Sequence, residues 1–282
     1  MSLSVPRGTA PGVVSDLVRE WISPARRVEQ FVDDPAERKL IRVELLVVFA
    51  VTLGLSGLAS LLSLLDSLLQ PVGLAEQTAA INVPQARFAV VDFLKQLTGV
   101  IRLTAWGALG VYLLYRAGYR LSAIGLDLAQ KGKDALRGLG LAALIGVPGL
   151  GFYLVAHAVG INLAVAPSTL GETWWRPVVL VLLAAGNAWA EEVLVVGYVL
   201  TKLRQLGFRE NTSLVFAAVL RGSYHLYQGF GGFIGNVVMG LVYGRYWQKT
   251  NRLWPLVVAH AVIDVVAFVG YSLLSGVVSW LP

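Results

Sequence analysis

VVLVLLAAGNAWAEEVLVVGYVL, residues 178–200, reads as a membrane-spanning helix, yet two adjacent carboxylates, Glu191 and Glu192, interrupt it. A helix needs about 20 apolar residues to cross the hydrocarbon. A charge near its centre costs roughly 2.5–3.5 kcal/mol on insertion scales, so such a residue faces a polar interior rather than lipid. Two later apolar segments contribute His225 and His260, and Asp264 follows His260 by one helical turn. The sequence therefore points to a polar pocket enclosed by membrane helices.

Composition supports that setting. Of 282 residues, 56% are hydrophobic and 14% charged, against about 25% charged in soluble domains. The formal charge of +6 is no nucleic-acid signal, because the basic residues sit mainly at the ends of apolar runs, where orientation and anionic headgroups call for them. Cysteine is absent, which excludes a thiol nucleophile, a thiolate zinc site and disulfides. No secretory signal opens the chain, so the first apolar segment is expected to stay as an anchor.

The expected fold is all-α, a polytopic transmembrane helix bundle of about seven spans. Apolar runs fall near 43–65, 96–116, 138–159, 177–201, 212–228, 232–248 and 254–280. Residues 1–39 form a cytoplasmic N-terminal segment, partly disordered or amphipathic, and 40–282 the transmembrane domain. Arg38, Lys39, Arg42, Arg116, Arg120, Lys131, Lys133, Arg137, Lys202, Arg204, Arg209, Arg245, Lys249 and Arg252 fall in alternate connections, which puts the N-terminus on the cytoplasmic side. Trp174 and Trp175 suit an interfacial belt on the other side, and Gly240 and Gly244 suit close helix packing.

At 1.5 Å per residue, depths from the cytoplasmic ends come to about 15 Å for Glu191, 20 Å for His225, 10 Å for His260 and 16 Å for Asp264. The four groups share one layer. Glu191 and Glu192 differ by about 100° around their helix, so one faces the pocket while the other pairs with a neighbouring helix. The plain structural alternative is a buried carboxylate that merely pairs with Arg221. Asn187 reads as an interhelical hydrogen-bonding residue, and His157, toward the outer end of its span, as structural. Neither HExxH nor GxSxG occurs, and a single Asp sits clearly mid-span. What remains is Glu and His on separate helices, suited to activating water and to binding a metal or an oxyanion.

EEVLVVGYVL, SYHLYQG and LVVAHAVID, within residues 176–270, resemble the three motifs of the CPBP intramembrane proteases, which include the CAAX prenyl endopeptidases and bacterial relatives. The family patterns are EExxxR, FxxxH and HxxxN or HxxxD. By that resemblance Glu191 and Glu192 take the paired glutamates, His225 the middle histidine, and His260 with Asp264 the last motif. Two positions depart: Val196 stands where the arginine is expected and Arg221 where the phenylalanine is. Arg221 is expected to supply the missing charge from the neighbouring helix, to Glu192.

The resemblance implies an intramembrane endopeptidase in a bacterial cell membrane, acting on a membrane-associated polypeptide. Its implied roles are Glu191 as general base supported by His225, His260 at the oxyanion, Asp264 holding His260, and Glu192 behind them. Two cofactor readings stay open: zinc on Glu191, His225 and His260, or a metal-free glutamate mechanism. Rival classes are a non-proteolytic scaffold or immunity protein of the same fold, and a proton-coupled transporter.

Overall fold

The computed structural model of the chain describes residues 21–22 and 31–274; most of the 1–39 segment and the end of the last expected span lie outside them. Each expected apolar segment is helical over most of its described length, but 212–228 leaves the α-helix after Ser223, so His225 sits in a turn rather than within a span. Asp34 caps α1 (Pro35–Val51), its carboxylate accepting from the Ala36 and Glu37 N–H groups at 3.2 and 3.3 Å. The expected first span breaks at Thr52, and α2 (Leu53–Leu69) leaves at 50° to α1. Thr52 turns its hydroxyl back onto the Val48 carbonyl at 2.6 Å, and Gly54 follows. No single strong breaker marks that site.

The chain continues through α3 (Ala89–Arg116), α4 (Lys131–Ala158), α5 (Arg176–Glu191), a π-helical stretch (Glu192–Tyr198), α6 (Val199–Gln205), α7 (Glu210–Ser223), α8 (Phe230–Thr250) and α9 (Trp254–Leu274). Among the described residues four helical runs are long and apolar enough to cross a membrane: α3, α4, α5 through α6, and α9. The bent α1–α2 pair passes the same test only when its two helices are taken together as one span, for a count of four or five. Of the seven expected, α7 is too short at 14 residues, about 21 Å against a hydrocarbon core of about 30 Å. In α8, glycines, Asn236, Arg245 and Lys249 dilute the apolar character.

One element lies outside an all-α reading. Strands β1 (Thr78–Asn82) and β2 (Ala164–Ser168) pair in parallel, Thr78 opposite Ala164 and Asn82 opposite Ser168. They join the connection before α3 to the connection after α4. At five residues each they are too short to show a period. Trp174 is exposed as an interfacial residue should be, whereas its neighbour Trp175 is buried, its ring centroid 5.6 Å from Phe93.

The α5–α6 run is the centre of the bundle, and Val193–Leu200 is wholly buried. Large apolar side chains on the outer helices, among them Leu46, Leu94, Val147 and Val155, are exposed, as lipid-facing surface should be. Gly240 lets α8 lie directly on α7: a Cβ there would stand 2.8 Å from the Ala218 Cα. That contact fixes where the end of α7 delivers its polar residues. Ser60 of α2 accepts the Tyr227 N–H at 2.7 Å and so secures the turn that carries His225.

Several basic residues expected at headgroups are instead paired internally. Lys202 meets Glu44 at 2.8 Å, Arg204 meets Glu210 at 2.8 Å, and Arg252 meets Asp127 at 2.6 Å and also Asp134.

Candidate active site

Three helices deliver the site. Glu191 ends α5 and Glu192 opens the π stretch, where the wider i→i+5 winding departs from the α-helix; such segments recur at functional sites. Arg221 lies in the last turn of α7, with Tyr224 and His225 just past its end. His260 and Asp264 stand one turn apart on α9. Glu191, Glu192, Arg221, His225, His260 and Asp264, the candidate site residues, come together.

Glu192 and Arg221 are both fully enclosed, and the Arg221 Nη2 donates to Glu192 Oε1 at 2.6 Å. The same oxygen lies 2.7 Å from His260 Nδ1. Arg221 Nη1 reaches toward Glu191 Oε2 at 3.6 Å. One guanidinium thus serves Glu192, as the departures from the motif suggested, and reaches Glu191 as well, while Val196 is buried among apolar side chains. Met239 and Tyr243 of α8 line Arg221, the Sδ 3.8 Å from Nη1 and the ring centroid 5.8 Å from Cζ. An arginine replaced the expected phenylalanine without leaving an unpaired charge, which is what makes its burial tolerable.

Glu191 turns the other way. Its Oε2 accepts the Tyr224 hydroxyl at 2.8 Å and lies 3.9 Å from His225 Nε2. The second distance exceeds a hydrogen bond, though catalytic pairs are often loose before substrate binds. His225 is the least enclosed of the set at 16% exposure, so the site opens on its side. Its ring packs against Tyr224 and Tyr227, centroids 4.9 and 6.4 Å away.

Asp264 stands 3.6 Å from His260 Nε2 and accepts from Asn187 Nδ2 at 3.0 Å. Asn187 is therefore the interhelical hydrogen-bonding residue it was expected to be. His157 lies apart from the site, its Nε2 3.2 Å from the Ala75 carbonyl. Tyr224 is the residue the sequence reading passed over. Only its adjacency to His225 pointed to it, since its partner Glu191 is 33 positions earlier.

Among the described residues no group of three His, Asp or Glu side chains is gathered to hold a metal ion. The reason is local. The Arg221 guanidinium occupies the cationic position beside both glutamates, and His260 Nδ1 is turned onto Glu192. Glu191, His225 and His260 as arranged do not fit the zinc reading.

Buried carboxylates and imidazoles on apolar helices make a polar site within a bundle of membrane type. Residues 173–266 match the family model described as type II CAAX prenyl endopeptidase Rce1-like. That third of the chain, which holds every residue of the site, bears out the family resemblance drawn from the three motifs. No curated protein and no solved structure matches the chain.

Proposed function

We propose that the protein is an intramembrane endopeptidase that hydrolyses a peptide bond of a membrane-associated polypeptide with water activated by Glu191. The observation that carries this reading is the division of labour between the two glutamates. Glu192 is consumed by Arg221 and His260, whereas Glu191, aligned by Tyr224, faces the open side at His225. The catalytic part is residues 176–270, within a transmembrane domain beginning near 40, and the site opens toward the cytoplasmic half.

Glu191 removes a proton from water as the water oxygen bonds to the scissile carbonyl carbon, with His225 supporting the carboxylate. Negative charge moves to the carbonyl oxygen. His260, protonated on both ring nitrogens, gives Nδ1–H to Glu192 and offers Nε2–H to that oxygen, and Asp264 beside the ring favours that charge and keeps the ring oriented. Donors fixed where charge develops are worth more than mobile water. The C–N bond then breaks, and the amine leaves with the proton that Glu191 took.

The test is cleavage of a quenched peptide library by purified protein in detergent, with and without chelator. Wild type should cleave in both conditions, and Glu191→Ala should lose at least about 10²-fold. Failure of folded wild type to cleave any member of a broad library contradicts the reading and favours a non-proteolytic protein of this fold.

A further inference from the structure

A groove of about 780 Å³ lies between α1 and α7, with the end of α6 and the turn after it completing its wall. That size falls within the range of ligand sites, about 300–1,000 Å³. Arg38 and Arg42 line it on α1, and Leu46, Phe49, Phe216 and Leu220 continue it along the two helices. From Arg38 to Phe49 is about 16 Å of helix rise. The groove is charged at one end and hydrocarbon along the rest.

Among the described residues the charge meets no acidic counterpart. Lys202, Arg204, Arg221 and Arg252 each meet a carboxylate. Arg38 instead donates to the carbonyls of Leu206 and Val32 at 2.7 and 3.2 Å, which holds it in place without neutralising it. Arg42 is exposed, and neither arginine forms an ion pair among the described residues.

We propose that this groove binds one anionic phospholipid, its phosphate against Arg42 and Arg38 and an acyl chain along Leu46, Phe49, Phe216 and Leu220. Guanidinium matches phosphate in charge and geometry, and basic pockets between membrane helices take acidic headgroups. A free phosphate would leave the apolar length uncovered, and an uncharged chain would leave the arginines unanswered. The occupant bridges α1 and α7, the helix that delivers Arg221 and His225. The site shares no residue with the proposed catalytic set.

Native mass spectrometry of the full chain in detergent, titrated separately with four probes, tests this. The probes are dioleoyl phosphatidylglycerol, dioleoyl phosphatidylcholine, farnesol and glycerol 3-phosphate. Phosphatidylglycerol should bind at least about fivefold more tightly than the other three, since a basic residue near an acidic headgroup contributes about 1 kcal/mol. Arg42→Gln, at an exposed side chain that makes no hydrogen bond among the described residues, should remove that preference. Leu46→Trp, which narrows the groove, should weaken both phospholipids. Arg116→Gln, at an exposed arginine ending α3, should change nothing. Equal binding of phosphatidylcholine or farnesol, an unaffected Arg42→Gln, or an equal loss in Arg116→Gln would overturn the proposal.

Discussion

Arg221 and Glu192 meet at 2.6 Å on neighbouring helices, both wholly removed from solvent, and the same guanidinium stands 3.6 Å from Glu191. One cation therefore sets the electrostatics of both glutamates. Removing one partner of a buried pair costs about 3–5 kcal/mol, because the other charge is left uncompensated. Arg221→Phe should lower stability by about that much and abolish activity. Val196 stands four residues after Glu192, on the same helical face. Combining Arg221→Phe with Val196→Arg should recover part of the loss, measured by thermal unfolding in detergent and by cleavage. A double variant no better than Arg221→Phe contradicts the idea that Arg221 stands in for the missing arginine.

Tyr224 donates to Glu191 Oε2 at 2.8 Å. A hydrogen bond to an ionised group is worth about 1.5–3 kcal/mol. If it aligns the base, Tyr224→Phe should lower kcat by roughly 10- to 100-fold with KM little changed, because the ring and its packing on His225 remain. A rise in KM at constant kcat would point to substrate binding instead.

Asp127 lies in the turn before α4, outside the spans. The Ala129 N–H at 2.9 Å and the Arg252 guanidinium at 2.6 Å hold its carboxyl below the usual carboxylate range. A depressed carboxylate stabilises the fold above its unfolded pKa, about 3.9, and that contribution is lost as pH falls through the folded value. The difference in thermal midpoint between wild type and Asp127→Asn should hold from neutral pH to about 5 and shrink steadily below about 4. An unchanged gap at the acid end contradicts the assignment.

Gly240 has no room for a side chain against the α7 backbone. Gly240→Val should cost about 1–3 kcal/mol through overpacking and should reduce activity by displacing Arg221 and His225. Wild-type stability and rate in that variant would show that α7 and α8 do not share this contact.

The polar layer was legible because burying charge in an apolar chain is expensive. That constraint, with the matching depths, points to Glu191, Glu192, His225, His260 and Asp264 sharing a layer, and the departures at Val196 and Arg221 point to Arg221 serving Glu192. Other features leave no such trace. The π winding after Glu191 uses the same apolar residues as an α-helix, and the break at Thr52 lies within an otherwise continuous hydrophobic run. The β1–β2 pair is shorter than any readable alternation. Lys202, Arg204 and Arg252 look like headgroup residues in one dimension, because Glu44, Glu210 and Asp127 are brought to them only by the fold. Tyr224 was hidden for the same reason.

The most direct measurement compares the cleavage rate of Glu191→Gln with that of wild type on a peptide the wild type cuts, at equal folding in the same detergent. The substitution keeps the size of the side chain and its ability to accept from Tyr224 while removing the base. A fall of at least about 10²-fold in kcat is the expected result. A variant that cleaves at the wild-type rate would remove Glu191 from the chemistry and the proposed mechanism with it.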